Sequence, residues 1–252
     1  MKKNNLDDEF IFLSEKEIQE IINSKKDSKF NAEFNFLLEP YFDPGDIFFD
    51  FFWEFSYRMQ SLQRYFEYTD RFINEYIKNF EKYYVDLEQN NNYAEEIDLG
   101  GEQLLSDKNY FQEQHYSAIL ANLFSLLETL LSEVTNDVAK TLNKEFKIEK
   151  RMSYIDKYLY FLDKGCGLNV SIEKETWHRL ELMRNIRNKY IHNLGKNISN
   201  YIKSELLKLY ENNNEEEFKL NYEFINLAFE TIANIAFELR DSYFRFYDSA
   251  NK

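Results

Sequence analysis

Arg187, Asn188 and His192 stand close together in the stretch "RNIRNKYIHNLG" (184–195). An Arg guanidinium offers a planar fork of donors for phosphate oxygens. An Asn amide can orient a neighbour, and a His with an unperturbed pKa near ~6.5 gives or takes a proton at neutral pH. Those are the parts needed to cut RNA without a metal. The 2′-hydroxyl attacks the adjacent phosphorus, a base removes its proton, an acid protonates the leaving 5′-oxygen, and cations stabilise the phosphorane charge. One His does not readily serve as both base and acid. Two copies of the segment meeting across a two-fold axis would supply two His and several Arg.

The spacing predicts a helix over 172–194, with Ser171 as its N-cap and Gly195 at its C-terminal end. On a wheel of 100° per residue with Arg184 at zero, Leu182, Met183, Ile186 and Tyr190 fall between about 160° and 260°, the expected core face. Trp177, Glu181, Arg184, Asn188 and His192 fall between about 0° and 80°, nearly opposite. Arg187 lies at about 300°, some 140° from His192, with Leu180 and Ile191 beside it. A solvated helix face usually carries flexible Lys and Glu. The mixture here suits a second interface lined with hydrogen-bonding groups. Glu181, Arg184, Lys189 and Asn193 are therefore candidates for supporting or RNA-binding roles. A plainer alternative stands beside this one. An Arg a few residues before a His arises often by chance, so the spacing alone also fits a polar helix face with a structural His.

The elements around this helix are predicted to be helical as well. "SEKE" (14–17) reads as a capping box opening a short helix through about residue 23. "EPYFDPGD" (39–46) holds both prolines and closes that region. A long helix is expected over 46–88, its apolar side formed by Phe52, Phe55, Met59, Leu62, Tyr65, Phe66, Phe72 and Tyr76. The polar "EQNNNYAEEIDLGGEQ" (88–103), with its glycine pair, reads as a loop. Helices are then expected over about 107–144, 151–164, 172–194, 197–211 and 222–247. "GCG" (165–167) should stop the second of these, and Asn221 should cap the last. No β alternation or internal repeat stands out. The expected fold is all-α, a bundle of long and mostly antiparallel helices. Residues 1–104 read as an N-terminal helical region and 105–252 as the domain that carries the motif, packed as one unit.

Composition narrows the function classes. The chain has 252 residues and a formal charge of −14, with only 6 Gly and 2 Pro to interrupt helices. That charge argues against broad, nonspecific nucleic-acid binding, which needs a positive surface. It leaves room for a local basic site. Residues 177–203 hold Arg179, Arg184, Arg187, Lys189, Lys196 and Lys203 against Glu181 alone, a local charge of +5. Cys166 is the single cysteine, so no disulfide within the chain and no cysteine metal cluster is expected. With no signal peptide evident, the expected location is the cytoplasm. Polar residues break "DIFFDFFWEF" (46–55) and "AILANLFSLLETLLSEV" (118–134), so both read as core helices and not as membrane spans.

The segment Arg187-Asn188-(Lys-Tyr-Ile)-His192, continued by Asn193 and Gly195, resembles the R-x(4–6)-H hallmark of the HEPN superfamily (higher eukaryotes and prokaryotes nucleotide-binding). The apolar helix at 123–134 before the motif and the apolar helix at 221–241 after it are similar to that family in their order. The resemblance covers about 105–245. It implies a homodimer whose motif helices face each other. It also implies a metal-independent endoribonuclease, commonly in toxin–antitoxin or antiphage-defence systems with a partner protein. By the same resemblance, Arg187 and His192 would be catalytic, Asn188 would orient them, and no cofactor is needed. In one toxin branch a Tyr follows two residues after the His and is modified by a partner enzyme. Leu194 holds that position here, which puts that form of control in doubt.

The other candidates carry less. His178 reads as a surface residue and His115 as structural, and three scattered His give no metal site. Glu128, inside an apolar helix, calls for a partner or an exposed slot. The cluster of Phe48, Phe49, Phe51, Phe52, Trp53 and Phe55 is too large for one face and suggests a partner surface in addition to a core. Two further functions compete with a ribonuclease: a non-catalytic HEPN module that binds a nucleotide or protein, and an unrelated helical scaffold.

Overall fold

The structure is a computed structural model that describes residues 50–89, 94–146, 152–193, 198–209 and 220–250. Among these it is 88% helical and contains no strand. Helix α1 spans Asp50–Gln89 and α2 spans Ala94–Thr141. A short α3, Tyr154–Tyr160, runs into a π-helical turn at Phe161–Gly165. The motif helix α4 is Lys174–Asn193, α5 is Asn200–Leu209 and α6 is Tyr222–Ala250. The expected capping box at 14–17, the two prolines, Phe48 and Phe49 lie outside the described residues.

Side-chain contacts fix the directions of the four long helices. Gln112 bonds to Asn74 and Tyr116 to Asp70, while Glu133 faces Glu54 and Arg58, so α1 and α2 are antiparallel. Phe66 meets Tyr222 and Phe229, and Phe52 meets Tyr243 and Phe244, so α1 and α6 are also antiparallel. Asp137 accepts from Tyr243 and Tyr247, and Tyr116 feels the charge of Glu223, so α2 and α6 run parallel. Arg187 of α4 lies over Phe124, and Tyr190 faces Glu113, so α4 opposes α2. The order α1, α2, α4, α6 is thus up-down-up-down, with α2 and α6 as the central pair and α1 and α4 on separate flanks.

The central pair explains the apolar centre of α2. Ile119, Leu120, Leu123, Phe124, Leu127, Leu130, Leu131 and Val134 are buried, because α1, α4 and α6 cover α2 on several sides. By length and composition, Tyr110–Thr141 is apolar enough to cross a membrane, yet half of its most apolar window is buried against the other helices. On α1, Phe52, Phe55, Met59 and Phe66 are buried as expected. Tyr65 and Phe72 are not: they are 56% and 69% exposed, and Tyr65 only edges onto α2 through the His115 ring.

Two boundaries differ from the sequence reading. Residues 94–103, expected within a polar loop, form the first turns of α2. The proposed break at 104/105 therefore falls inside a helix. The glycine pair lies within the helix, and Gly100, though not Gly101, lies against a neighbouring ring. The Tyr84 ring lies across Gly100, where an added Cβ would come within 1.6 Å of the Tyr84 Oη, so only glycine leaves the ring in place. At the other boundary, α4 starts at Lys174, with the Trp177 N–H bonded to the Glu173 carbonyl. Ser171 sits too far upstream to cap it. The remaining punctuation is as expected. Gly167 takes the left-handed conformation (φ 75°) after the π turn, and Asn221 Oδ1 accepts the Phe224 N–H at 2.8 Å to start α6.

Candidate functional site

Leu180, Leu182, Met183, Ile186 and Tyr190 anchor α4 against α2 and α6. Leu180 is 1% exposed, which extends the buried arc of the wheel to about 320° and encloses the position of Arg187. Burial raises the Tyr190 hydroxyl to about 12, with Glu113 adding to the rise and a hydrogen bond from the Leu220 backbone opposing it. Tyr190 is thus a core residue held neutral at physiological pH.

The three arginines of α4 have different surroundings. Arg179 pairs with Glu175 and, at 3.5 Å, with Glu230 of α6. Arg184 Nη1 donates to Ser153 Oγ at 2.8 Å and to Asp156 Oδ2 at 3.0 Å, while its Nη2 lies 3.3 Å from Glu181 Oε1. Ser153 is the N-cap of α3, accepting the Asp156 N–H and donating to its carboxylate. Arg184, flanked by Glu181 on its own helix, therefore ties the motif helix to the start of α3. Their charges are used within the fold, which leaves little of Arg184 for a ligand.

Arg187 has no carboxylate partner among the described residues. Its guanidinium lies 5.9 Å over the Phe124 ring, its Nη1 donates to Asn188 Oδ1 at 3.2 Å, and its buried Nε has no partner. A half-buried cation without a counter-ion is costly, and an aromatic face offsets part of that cost. Asn188 accepts that one hydrogen bond from the guanidinium through its Oδ1. His192 is exposed near the C-terminal end of α4. Lys189 is half-buried between the two, and Asn193 ends the helix. Leu194 and Gly195 lie outside the described residues.

Arg187 and Asn188 are thus brought together, whereas Arg187 and His192 are not. Arg187 points to the α2 side of a regular helix and His192 points to solvent. Of the other histidines, His178 Nε2 lies 3.2 Å from Glu205 Oε2 and links α4 to α5. His115 is buried, and its Nε2–H donates to the Phe66 carbonyl at 3.3 Å. Among the described residues no group of His, Cys, Asp and Glu could hold a metal. Glu128 is half-buried and has no ion pair among the described residues. The sequence reading passed over Ser153, Asp156 and Phe124. The first two carry a signal, since S-x-x-D at 153–156 is a capping-box pattern. Phe124 is one of many apolar residues in α2, and nothing in its spacing marks it as the seat of a cation. No protein-family model, curated protein or solved structure matches the chain.

Proposed function

We propose that the protein is a HEPN-type, metal-independent endoribonuclease that works as a homodimer in a toxin or defence role, with a partner protein controlling it. The observation that carries this reading is the contrast among the arginines of one helix. Arg179 and Arg184 are neutralised, while Arg187 is left as an oriented, uncompensated cation beside Asn188, on the same helix as an exposed His192. In this reading Arg187 holds the scissile phosphate and stabilises its developing charge, and Asn188 aims the guanidinium. His192 of one copy transfers the proton at a phosphate held by Arg187 of the other, so each dimer carries two such sites.

The test is RNA cleavage in EDTA. The products should carry 2′,3′-cyclic phosphate or 3′-phosphate ends. His192→Ala and Arg187→Ala should each lower the rate by about 10²-fold or more, with helical content intact. A clean dimer that leaves a varied set of RNAs uncut would overturn the proposal.

One observation favours a second reading, a non-catalytic HEPN module that binds a nucleotide or a protein. Arg187 rests on the core residue Phe124 and faces away from His192, an arrangement that suits static recognition of a phosphate as well as catalysis. In that case His192→Ala leaves ligand binding unchanged and Arg187→Ala abolishes it.

A further inference from the structure

The outer face of α1 is unusual for a chain of charge −14. Tyr57, Tyr65, Tyr68 and Phe72 are 53%, 56%, 68% and 69% exposed, and all fall within an arc of about 120° that also holds Arg64 and Arg71. Among the described residues this face is touched at its edge, where the Tyr65 ring meets His115 of α2 edge-on with centroids 6.1 Å apart. The opposite side of α1, with Phe55, Met59, Phe66 and Ile73, packs against the bundle. Tyr57 stacks on Trp53 with ring centroids 5.6 Å apart and planes 15° from parallel, so flat rings already pile up along this side.

The arginines lie in the middle of this face, with exposed Glu54 and Glu75 at its two ends. Between Tyr57 and Phe72 the only carboxylates are Glu67 and Asp70. Asp70 is buried and bonded to Tyr116 and Asn74, and Glu67 is half-buried. Arg58 is matched by Glu54. Arg64 forms no ion pair among the described residues, while Arg71 feels the charge of Glu67 and lies 6.0 Å from the Tyr68 ring centre. A second copy of the chain pairing through this face would set arginines against arginines. The complementary partner is anionic and presents flat faces of its own.

We infer that the outer face of α1, through Tyr57, Tyr65, Tyr68 and Phe72 with Arg64 and Arg71, is a docking platform for single-stranded RNA. Exposed rings stack on unpaired bases and interleaved arginines follow the backbone, a combination that tolerates any sequence. From Trp53 to Phe72 the helix rises about 28 Å, the length of about eight stacked nucleotides at about 3.4 Å each. The platform lies on the flank opposite α4, so it captures the strand away from the motif. The choice of RNA over DNA rests on the ribonuclease reading, whereas the stacking face itself does not.

The test is equilibrium binding of a fluorescent 12-nucleotide single strand, and of the matching duplex, to the full-length chain carrying His192→Ala, so that no substrate is consumed. The single strand should bind, and the duplex, whose base faces are covered, should bind at least tenfold more weakly. Tyr68→Ala with Phe72→Ala should weaken strand binding about tenfold or more. Arg64→Glu with Arg71→Glu should weaken it and lower the slope of log K against log salt by about two. All four positions are exposed, so circular dichroism should be unchanged. Binding that ignores all four substitutions overturns the platform. So does a change from dimer to monomer in the face variants, which would make the face a protein interface. If the chain binds the strand through α1 and never cuts it, the platform stands and only the ribonuclease reading falls. If the wild-type chain cuts RNA and the α1 variants bind the strand as well as their parent does, the ribonuclease reading stands and the platform falls.

Discussion

At the residue scale, what matters is how each polar side chain is compensated. Arg187 stands over Phe124 without a counter-ion, so substitution by a neutral residue of similar length removes a cation the fold does not use for pairing. The buried Asp70 contrasts with it, accepting from Tyr116 at 2.6 Å and from Asn74 at 2.9 Å. Beside that carboxylate, His115 stacks on Phe66 and donates to its carbonyl. Burial lowers the His115 pKa, and the hydrogen bond to Phe66 and the charge of Asp70 only partly restore it. The folded value thus lies below the unfolded value of ~6.5. As pH falls through ~6.5 the unfolded chain takes up a proton that the folded chain resists, so stability is full above that pH and declines below it, down to the folded pKa. His115→Gln should cost about 1–3 kcal/mol at neutral pH. It should also flatten the pH dependence between about pH 7.5 and about pH 5. Urea unfolding midpoints for both proteins across that range check this, and parallel profiles would exclude His115 as the titrating group.

At the element scale, α4 does two jobs that different arginines separate. Arg184 joins α4 to the cap of α3 through Ser153 and Asp156 and is largely covered. Arg184→Gln should therefore lower stability by about 1–2 kcal/mol and leave the rate of RNA cleavage near that of the wild type. Arg187→Gln should do the reverse. Parallel melts and cleavage assays test this, and equal loss of cleavage in both variants would mean that Arg184 acts at the site. The helices themselves were legible in the sequence wherever apolar spacing and a local signal agreed, as at α6 with its Asn221 cap and at the apolar centre of α2. The start of α2 was not legible. Asn and Gly at 90–101 signal a loop locally, but Gly100 lies under the Tyr84 ring, a contact between two helices that the local pattern does not show. The α1 face was misjudged for a related reason. Tyr65 and Phe72 fit the apolar spacing, yet α2 covers only one side of α1, and an aromatic ring has the same hydrophobicity on either side. In the motif, the pairing of Arg187 with Asn188 could be read from adjacency. That Arg184 is consumed by α3 could not, because Ser153 and Asp156 lie some thirty positions away.

At the scale of the whole molecule, the decisive fact is that Arg187 and His192 face different sides of α4. On a regular helix the two directions differ by about 140°, and Lys174–Asn193 is one continuous α-helix. In the proposed homodimer, a site that needs both groups at one phosphate takes Arg187 from one copy and His192 from its partner. This makes a prediction about mixtures. Each homodimer of Arg187→Ala lacks both cations, and each homodimer of His192→Ala lacks both imidazoles, so each preparation alone is inactive. When the two are mixed in equal amounts and allowed to exchange subunits, half of the dimers are mixed. In each of these, the intact Arg187 of one subunit meets the intact His192 of the other at one site, and the second site carries both defects. The mixture should recover about a quarter of the wild-type rate. If both groups come from the same chain, every site in a mixed dimer is defective and the rate stays at the level of the separate variants. RNA cleavage before and after exchange, with sedimentation confirming dimers throughout, separates the two cases. A flat result would require α4 to bend at the site or His192 to act elsewhere. Recovery would show that the chain's one unneutralised motif arginine and its exposed histidine, apart in the monomer, are parts of one symmetric machine.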